Sequence, residues 1–150
     1  MVMHNTLAAS DYGLLDDKTL MPKPNYWGAL LWRRLMGTAV LDTGIPIQEG
    51  LHVYAHSLRD HAGGVALLVI NNSKTKTTSI ALPIPAERYT LTASKLESKD
   101  VQLNGHSLEL QPNDALPKLE GTHVAAGKVD FAPASITFLA VPTAGNKDAR

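Results

Sequence analysis

Apolar positions follow two rhythms along this chain, and the change falls near residue 42. Before it lies one helical run. In Tyr26–Met36 (YWGALLWRRLM) the residues Trp27, Leu30, Leu31 and Leu35 share one helical face. Asn25 stands where an N-cap is expected, and Arg33 and Arg34 occupy the last turn, where cations suit the helix dipole. Gly37 is placed to be the residue that ends the helix. Upstream, Val2–Leu7 is an apolar-rich run of strand length. Ala8–Asn25 is broken by Ser10-Asp11, Gly13, Asp16-Asp17, Pro22 and Pro24 and reads as a loop.

From about residue 51 the period is two. Leu51–Leu58 alternates, Val65–Ile70 is a buried-strand run that stops at Asn71-Asn72, Thr77–Leu82 ends at Pro83, and Arg88–Ala93 alternates again. Val101–Leu103 and Ser107–Leu110 flank Asn104-Gly105, a pair that supplies the two positive-φ positions of a type I′ hairpin turn. Lys128–Phe131 and Ser135–Val141 complete the series, and the polar end GNKDAR is expected to fray. Short strands at near-regular spacing, separated by turn residues, predict an antiparallel β-sandwich. The strand–loop–helix unit before it is half of a βαβ unit, and a parallel strand needs neighbours. It could pack on the sandwich or complete a barrel formed by another chain; pattern alone does not choose.

Composition narrows the classes. The 150 residues carry 14 Lys+Arg against 14 Asp+Glu, and this zero net charge argues against an electrostatic nucleic-acid binder. With no cysteine there are no disulfides, thiol nucleophiles or thiolate metal sites. No apolar run approaches the ~20 residues of a membrane span. The start, MVMHNTLAAS, has neither a basic region nor a long apolar stretch and does not read as a signal peptide.

Candidate chemistry is sparse. His52 and His56 lie on one predicted strand, where four residues span ~13 Å, too far for two ligands of one zinc ion. These two and the isolated His4, His61, His106 and His123 read as surface or packing residues. Asp11, Asp16 and Asp17 read as turn residues, Asp11 being the best placed for chemistry, just past a strand end. There is no nucleophile elbow and no Gly-rich phosphate loop. Asn71-Asn72-Ser73 matches a glycosylation sequon that arises often by chance. Trp27 lies on the apolar helix face and reads as core, and Tyr26 and Trp32 read with it in preference to a sugar-stacking cluster. Tyr12 differs: it sits in a polar loop between Asp11 and Gly13, where no core pattern demands an aromatic, and loops after barrel strands are where barrel enzymes keep their sites.

The first forty residues carry more than pattern. Val2-Met3, Asp11-Tyr12-Gly13-Leu14, Pro22-Lys23-Pro24-Asn25-Tyr26-Trp27 with Leu30-Leu31, and Leu35-Met36-Gly37-Thr38-Ala39-Val40-Leu41 together resemble the heparanase and β-glucuronidase family, glycoside hydrolase family 79. Val101-Gln102-Leu103-Asn104-Gly105 resembles a sandwich hairpin of that family, and Ala132–Val141 its closing strand. The resemblance implies a mainly β chain: an antiparallel β-sandwich preceded by the last β-α unit of a (β/α)8 barrel completed by another chain or fragment. Residues 1–41 would be that barrel unit, 42–144 the sandwich and 145–150 a flexible tail.

It also implies that the catalytic glutamates lie on earlier barrel strands, so no catalytic residue is expected here. The partner would be a companion chain or N-terminal fragment carrying both glutamates, and the substrate a saccharide containing glucuronic acid. No metal or organic cofactor is implied, and the whole enzyme would be secreted, periplasmic or lysosomal. Tyr12 matches a family tyrosine that helps hold the uronic-acid carboxylate. Asn5 falls where a polar side chain can face the barrel mouth. Ser10 falls where relatives often have a glycine that lets the backbone approach the sugar, and His4 replaces an arginine of some relatives. Two rival expectations remain, a free-standing carbohydrate-binding sandwich and a structural accessory domain.

Overall fold

A computed structural model describes residues 6–8, 10–46 and 48–149. Among the described residues one α-helix, α1 (Pro24–Leu35), is followed by ten strands. These are β1 (Met36–Leu41), β2 (Leu51–Leu58), β3 (Val65–Asn71), β4 (Thr78–Leu82), β5 (Ala86–Thr92), β6 (Gln102–Leu103), β7 (His106–Ser107), β8 (Thr122–Val124), β9 (Gly127–Phe131) and β10 (Ser135–Val141). Every pairing is antiparallel. The large sheet runs β1-β2-β3-β10-β5-β6-β7 with β8 also on β5, and the small sheet is β4-β9.

Alternation along the strands builds two cores on opposite faces of the large sheet. One face meets the small sheet through Val69, Leu139 and Val141 against Ile80, Val129 and Phe131. This pair of sheets is the predicted sandwich. The other face meets α1, where Trp27 and Leu31 pack with Leu68, Leu91 and Phe138. Trp27 is therefore core, as its spacing indicates. The final strand β10 lies mid-sheet, with Phe138 opposite Leu68 on one side and Tyr89 on the other.

The helix ends differ from the sequence expectation. Pro24 takes the first helical position, where its missing N–H costs nothing, so the N-cap is Lys23 and Asn25 lies inside the first turn. Gly37 does not terminate the helix. Met36 leaves it in extended conformation, and the chain runs directly into β1. Gly37 is needed for close approach: a Cβ there would stand 2.6 Å from the Ser57 carbonyl oxygen. Arg59, just past β2, closes the helix end, its backbone N–H donating to Leu35 O and its Nη2 to Met36 O. Strands β1 and β8 were not anticipated by the alternation pattern. The Val2–Leu7 run falls mainly outside the described residues, and its described members Thr6 and Leu7 are not in a strand.

Helix α1 covers only part of its face of the sheet. Beside it lies an open apolar groove of about 870 Å³, lined by Ala29, Trp32, Ile70, Leu96, Ile136 and Phe138 among others. The tail, for which fraying is expected, lies against the β2–β3 turn. Gly63 N–H donates to Ala149 O at 2.8 Å, Asn146 N–H donates to Gly63 O at 2.9 Å, and Ala149 is buried.

A candidate saccharide-facing loop

Residues 10–23 form a loop without helix or strand, ordered by local hydrogen bonds. Leu15 N–H donates to Leu7 O at 2.8 Å and closes the loop neck, and Gly13 N–H donates to Ser10 O at 2.9 Å and forms the turn at its tip. Tyr12 is on that turn and is 63% exposed, which leaves its phenol able to reach a partner outside the chain. Gly13 is enclosed: a Cβ would meet Leu7 O at 2.9 Å, Ser10 O at 3.1 Å and Leu15 O at 3.2 Å. The tip can turn this tightly only around a residue with no side chain.

The second half of the loop is an Asx-type turn. Asp16 Oδ1 accepts the Lys18 and Thr19 backbone N–H groups at 3.1 and 3.0 Å and the Thr19 hydroxyl at 3.0 Å. Donation by the Thr19 and then the Lys18 N–H holds the Asp16 carboxyl below the ordinary carboxylate range. Asp16 is thus the turn residue the sequence indicates. Asp11 and Asp17 are exposed on the same loop.

Of the three sequence-derived site residues, the structure brings Tyr12 and Ser10 into one turn. Asn5 lies outside the described residues. The Ser10 hydroxyl is buried with no hydrogen-bond partner among the described residues. Sequence reading missed Lys23 and the role that Asn25 does have. Lys23 Nζ donates to Asp11 O at 2.9 Å, and Asn25 Nδ2 to Gly13 O at 3.3 Å, so the helix start grips the loop. The signal lay in the motif Pro22-Lys23-Pro24-Asn25 itself, where two prolines hold both side chains at the helix entry.

Elsewhere two of the histidines have partners within the chain, and Trp32, read with the core, is 39% exposed. His56 Nδ1 is 2.8 Å from Gly37 O, its ring meets Trp32 edge-on, and His52 Nε2 is 3.2 Å from Asn72 Nδ2. Among the described residues no group of three metal-ligating side chains gathers, and no helix is long and apolar enough to cross a membrane. The acceptor asparagine of the sequon is not presented to solvent. Asn71 is 1% exposed, and its Nδ2 donates to Lys76 O at 2.8 Å and to Phe131 O and Ala132 O at 3.0 Å.

No protein-family profile matches the chain. Individual proteins do. Baicalin-β-D-glucuronidase of Scutellaria baicalensis is 36% identical over 145 residues, covering 91% of this chain and 27% of that protein. Heparanase of Mus musculus is 34% identical over 140 residues, covering 84% of this chain and 26% of its own length. Heparanase-like protein 2 of Arabidopsis thaliana is 30% identical, covering 93% of this chain and 34% of that protein. The chain spans about a quarter to a third of the length of these relatives. The motifs around Tyr12 and α1 and this breadth of similarity agree: the chain belongs to the heparanase and β-glucuronidase family, glycoside hydrolase family 79.

Proposed function

We propose that this chain is the C-terminal portion of a retaining glycoside hydrolase acting on β-linked glucuronic acid, in heparan sulfate-like or simpler glucuronide substrates. The observation that carries the reading is the breadth of the match. Nearly the whole chain aligns with proteins named for glucuronidase and heparanase activity, yet it covers only about a quarter of two of them. The chain up to the end of α1 would end the catalytic barrel, and the sandwich, which takes in β1, would brace it. The apolar groove beside α1, with Trp32 and Ile136 each 39% exposed, is the face against which the rest of the barrel would pack.

Retaining hydrolysis needs two carboxyl groups ~5–5.5 Å apart, one as nucleophile and one as acid and base. The other part of the enzyme would supply both. Among the loop carboxylates here, Asp16 has one oxygen committed to its own turn. Tyr12 would donate its phenol hydrogen to the uronic-acid carboxylate and place the sugar without transferring protons to the reacting bond. Ser10 and Asn5 would contribute to the same wall.

The test uses this chain with the companion part of its enzyme and a chromogenic β-glucuronide. A hydrogen bond to a charged group is worth about 1.5–3 kcal/mol, so Tyr12→Phe should lower kcat/KM by about 10–100-fold. Full activity of this chain alone would overturn the reading. A structural accessory role is the second reading, supported by 29% identity to a protein named inactive heparanase-2. It predicts unaltered kinetics for Tyr12→Phe.

A further inference from the structure

The loop carrying Tyr12 turns five successive carbonyl oxygens, from Ser10 to Leu14, toward the start of α1, and two residues take all five. Lys23 Nζ donates to Ser10 O at 3.3 Å and to Asp11 O at 2.9 Å. Asn25 Nδ2 donates to Tyr12 O at 3.4 Å and to Gly13 O at 3.3 Å. The backbone N–H of Lys23 donates to Leu14 O at 2.9 Å. Such a run of carbonyls concentrates partial negative charge on one side of the loop. An ammonium group, with three rotatable donors on a long stem, answers it well. The amide of Asn25 supplies two donors to the next pair.

The helix gives up something for this arrangement. Its N-cap position holds Lys23, which makes no side-chain cap bond, where Ser, Thr, Asp or Asn would satisfy a free helix N–H. The lysine side chain serves the loop instead. Gly13, enclosed by three carbonyl oxygens, lets the loop close onto the two donors.

We propose that Lys23 and Asn25 are positioning residues that clamp the loop to α1, so that Tyr12 meets the saccharide already in place. The inference rests on the reading of Tyr12 as substrate-facing. Misplacing a binding group by about 1 Å can cost about 100-fold in rate, so a clamp remote from the sugar matters to its binding.

The experiment uses the complete enzyme and four variants: Lys23→Met, Lys23→Arg, Asn25→Asp and Tyr12→Phe. Asn25→Asp swaps a donor for an acceptor facing carbonyl oxygens. Amide hydrogen exchange is read at residues 10–15, with β3 and β10 as internal controls for folding, and KM and kcat are measured on a chromogenic glucuronide. Lys23→Met and Asn25→Asp should each speed exchange at Gly13 and Leu15 by about tenfold or more and leave the strands unchanged. They should raise KM by about tenfold with kcat within about twofold, and Lys23→Arg should recover part of both effects.

Unaltered exchange at residues 10–15 in both variants would overturn the clamp. Faster exchange with unaltered KM, while Tyr12→Phe raises KM, would overturn the positioning role. Faster exchange with every variant kinetically silent, Tyr12→Phe included, would support the clamp and refute the substrate reading. Tyr12→Phe alone raising KM, with neither clamp effect seen, would refute the clamp and support the substrate reading.

Discussion

The Tyr12 loop and the middle of the large sheet are held by opposite means. Strand β10 is paired along both edges and buries Phe138 and Leu139 on opposite faces, so its position is set by burial and by two ladders together. The loop has an isolated bridge, Leu15 with Pro22, and a set of polar donors from the helix entry. Its tip residue points outward. A sheet held this way resists change as a whole, while a loop held this way can be altered at one contact without disturbing the fold. Binding groups are commonly found on loops of this kind, positioned by a rigid scaffold.

The sheet is where the largest stability effect is expected. Phe138 is 2% exposed and touches both α1 and the strands beside it, so Phe138→Ala removes the ring and leaves a cavity between helix and sheet. A loss of about 3–5 kcal/mol in denaturant unfolding is expected. A loss confined to the helix, with the strands still protected in hydrogen exchange, would break the idea that the helix–sheet core is one cooperative unit.

Asn71→Ala should follow, at about 2–3 kcal/mol in the same measurement, since it leaves three carbonyl oxygens at the junction of the two sheets without their donor. If the variant were as stable as the parent, the Asn71 hydrogen bonds would contribute nothing to the joining of the sheets. Sequence alone offered Asn71 only as the start of a sequon. Its side chain acts on partners near residue 131, about sixty positions away, and nothing in the local pattern announces them.

This is the general shape of what was legible. Eight of the ten strands followed from alternating or continuous apolar runs bounded by turn residues, because burial on one or both faces is recorded in the side chains. The Asn104-Gly105 turn was legible because it needs positive φ at both central residues, and the structure has φ of 50° and 85° there. The remaining role of Asn104 was not. Its side chain bonds Thr90 N–H and Arg88 O, filling the gap on β5 between β6 and β8, and that task exists only once the strands are assembled. Strand β1 was hidden because burial alternates along it while hydropathy does not: the apolar Val40 is on the exposed side, and the inward positions include Gly37 and Ala39. In the loop, Tyr12 stood out as an aromatic without a core pattern, whereas the Lys23 clamp depends on which way five carbonyls turn.

Gly13→Ala sharpens the comparison from the loop side. The new methyl would press on three carbonyl oxygens, yet the loop is exposed and free to shift. Global stability should change by about 1 kcal/mol or less, while exchange at residues 10–15 should accelerate. A global loss as large as that of Phe138→Ala would show that loop and sheet unfold together and would break the distinction.

Acid should separate the two regions by the smallest effect. Two carboxyls sit below the ordinary carboxylate range, one in the sandwich and one in the loop. Asp130, on the small sheet, is lowered first by the Ser79 hydroxyl, which donates to it at 2.6 Å, and then by the Lys128 charge. Asp16, in the loop, is lowered by the Thr19 and Lys18 N–H groups. For both, the unfolded chain binds its proton at higher pH than the folded one. Their contribution is therefore complete above the ordinary carboxylate value and is lost as pH falls through the lowered folded value. Asp130 is exposed and Asp16 partly so, and screening keeps each contribution small. Between about pH 5 and about pH 2, Asp130→Asn should flatten the decline of global stability followed by unfolding midpoint. Asp16→Asn should leave that decline unchanged and instead remove the acid-induced rise in exchange at residues 18–21. Equal flattening by both variants would mean that the loop titrates as part of the sandwich, and the two regions would then share one stability.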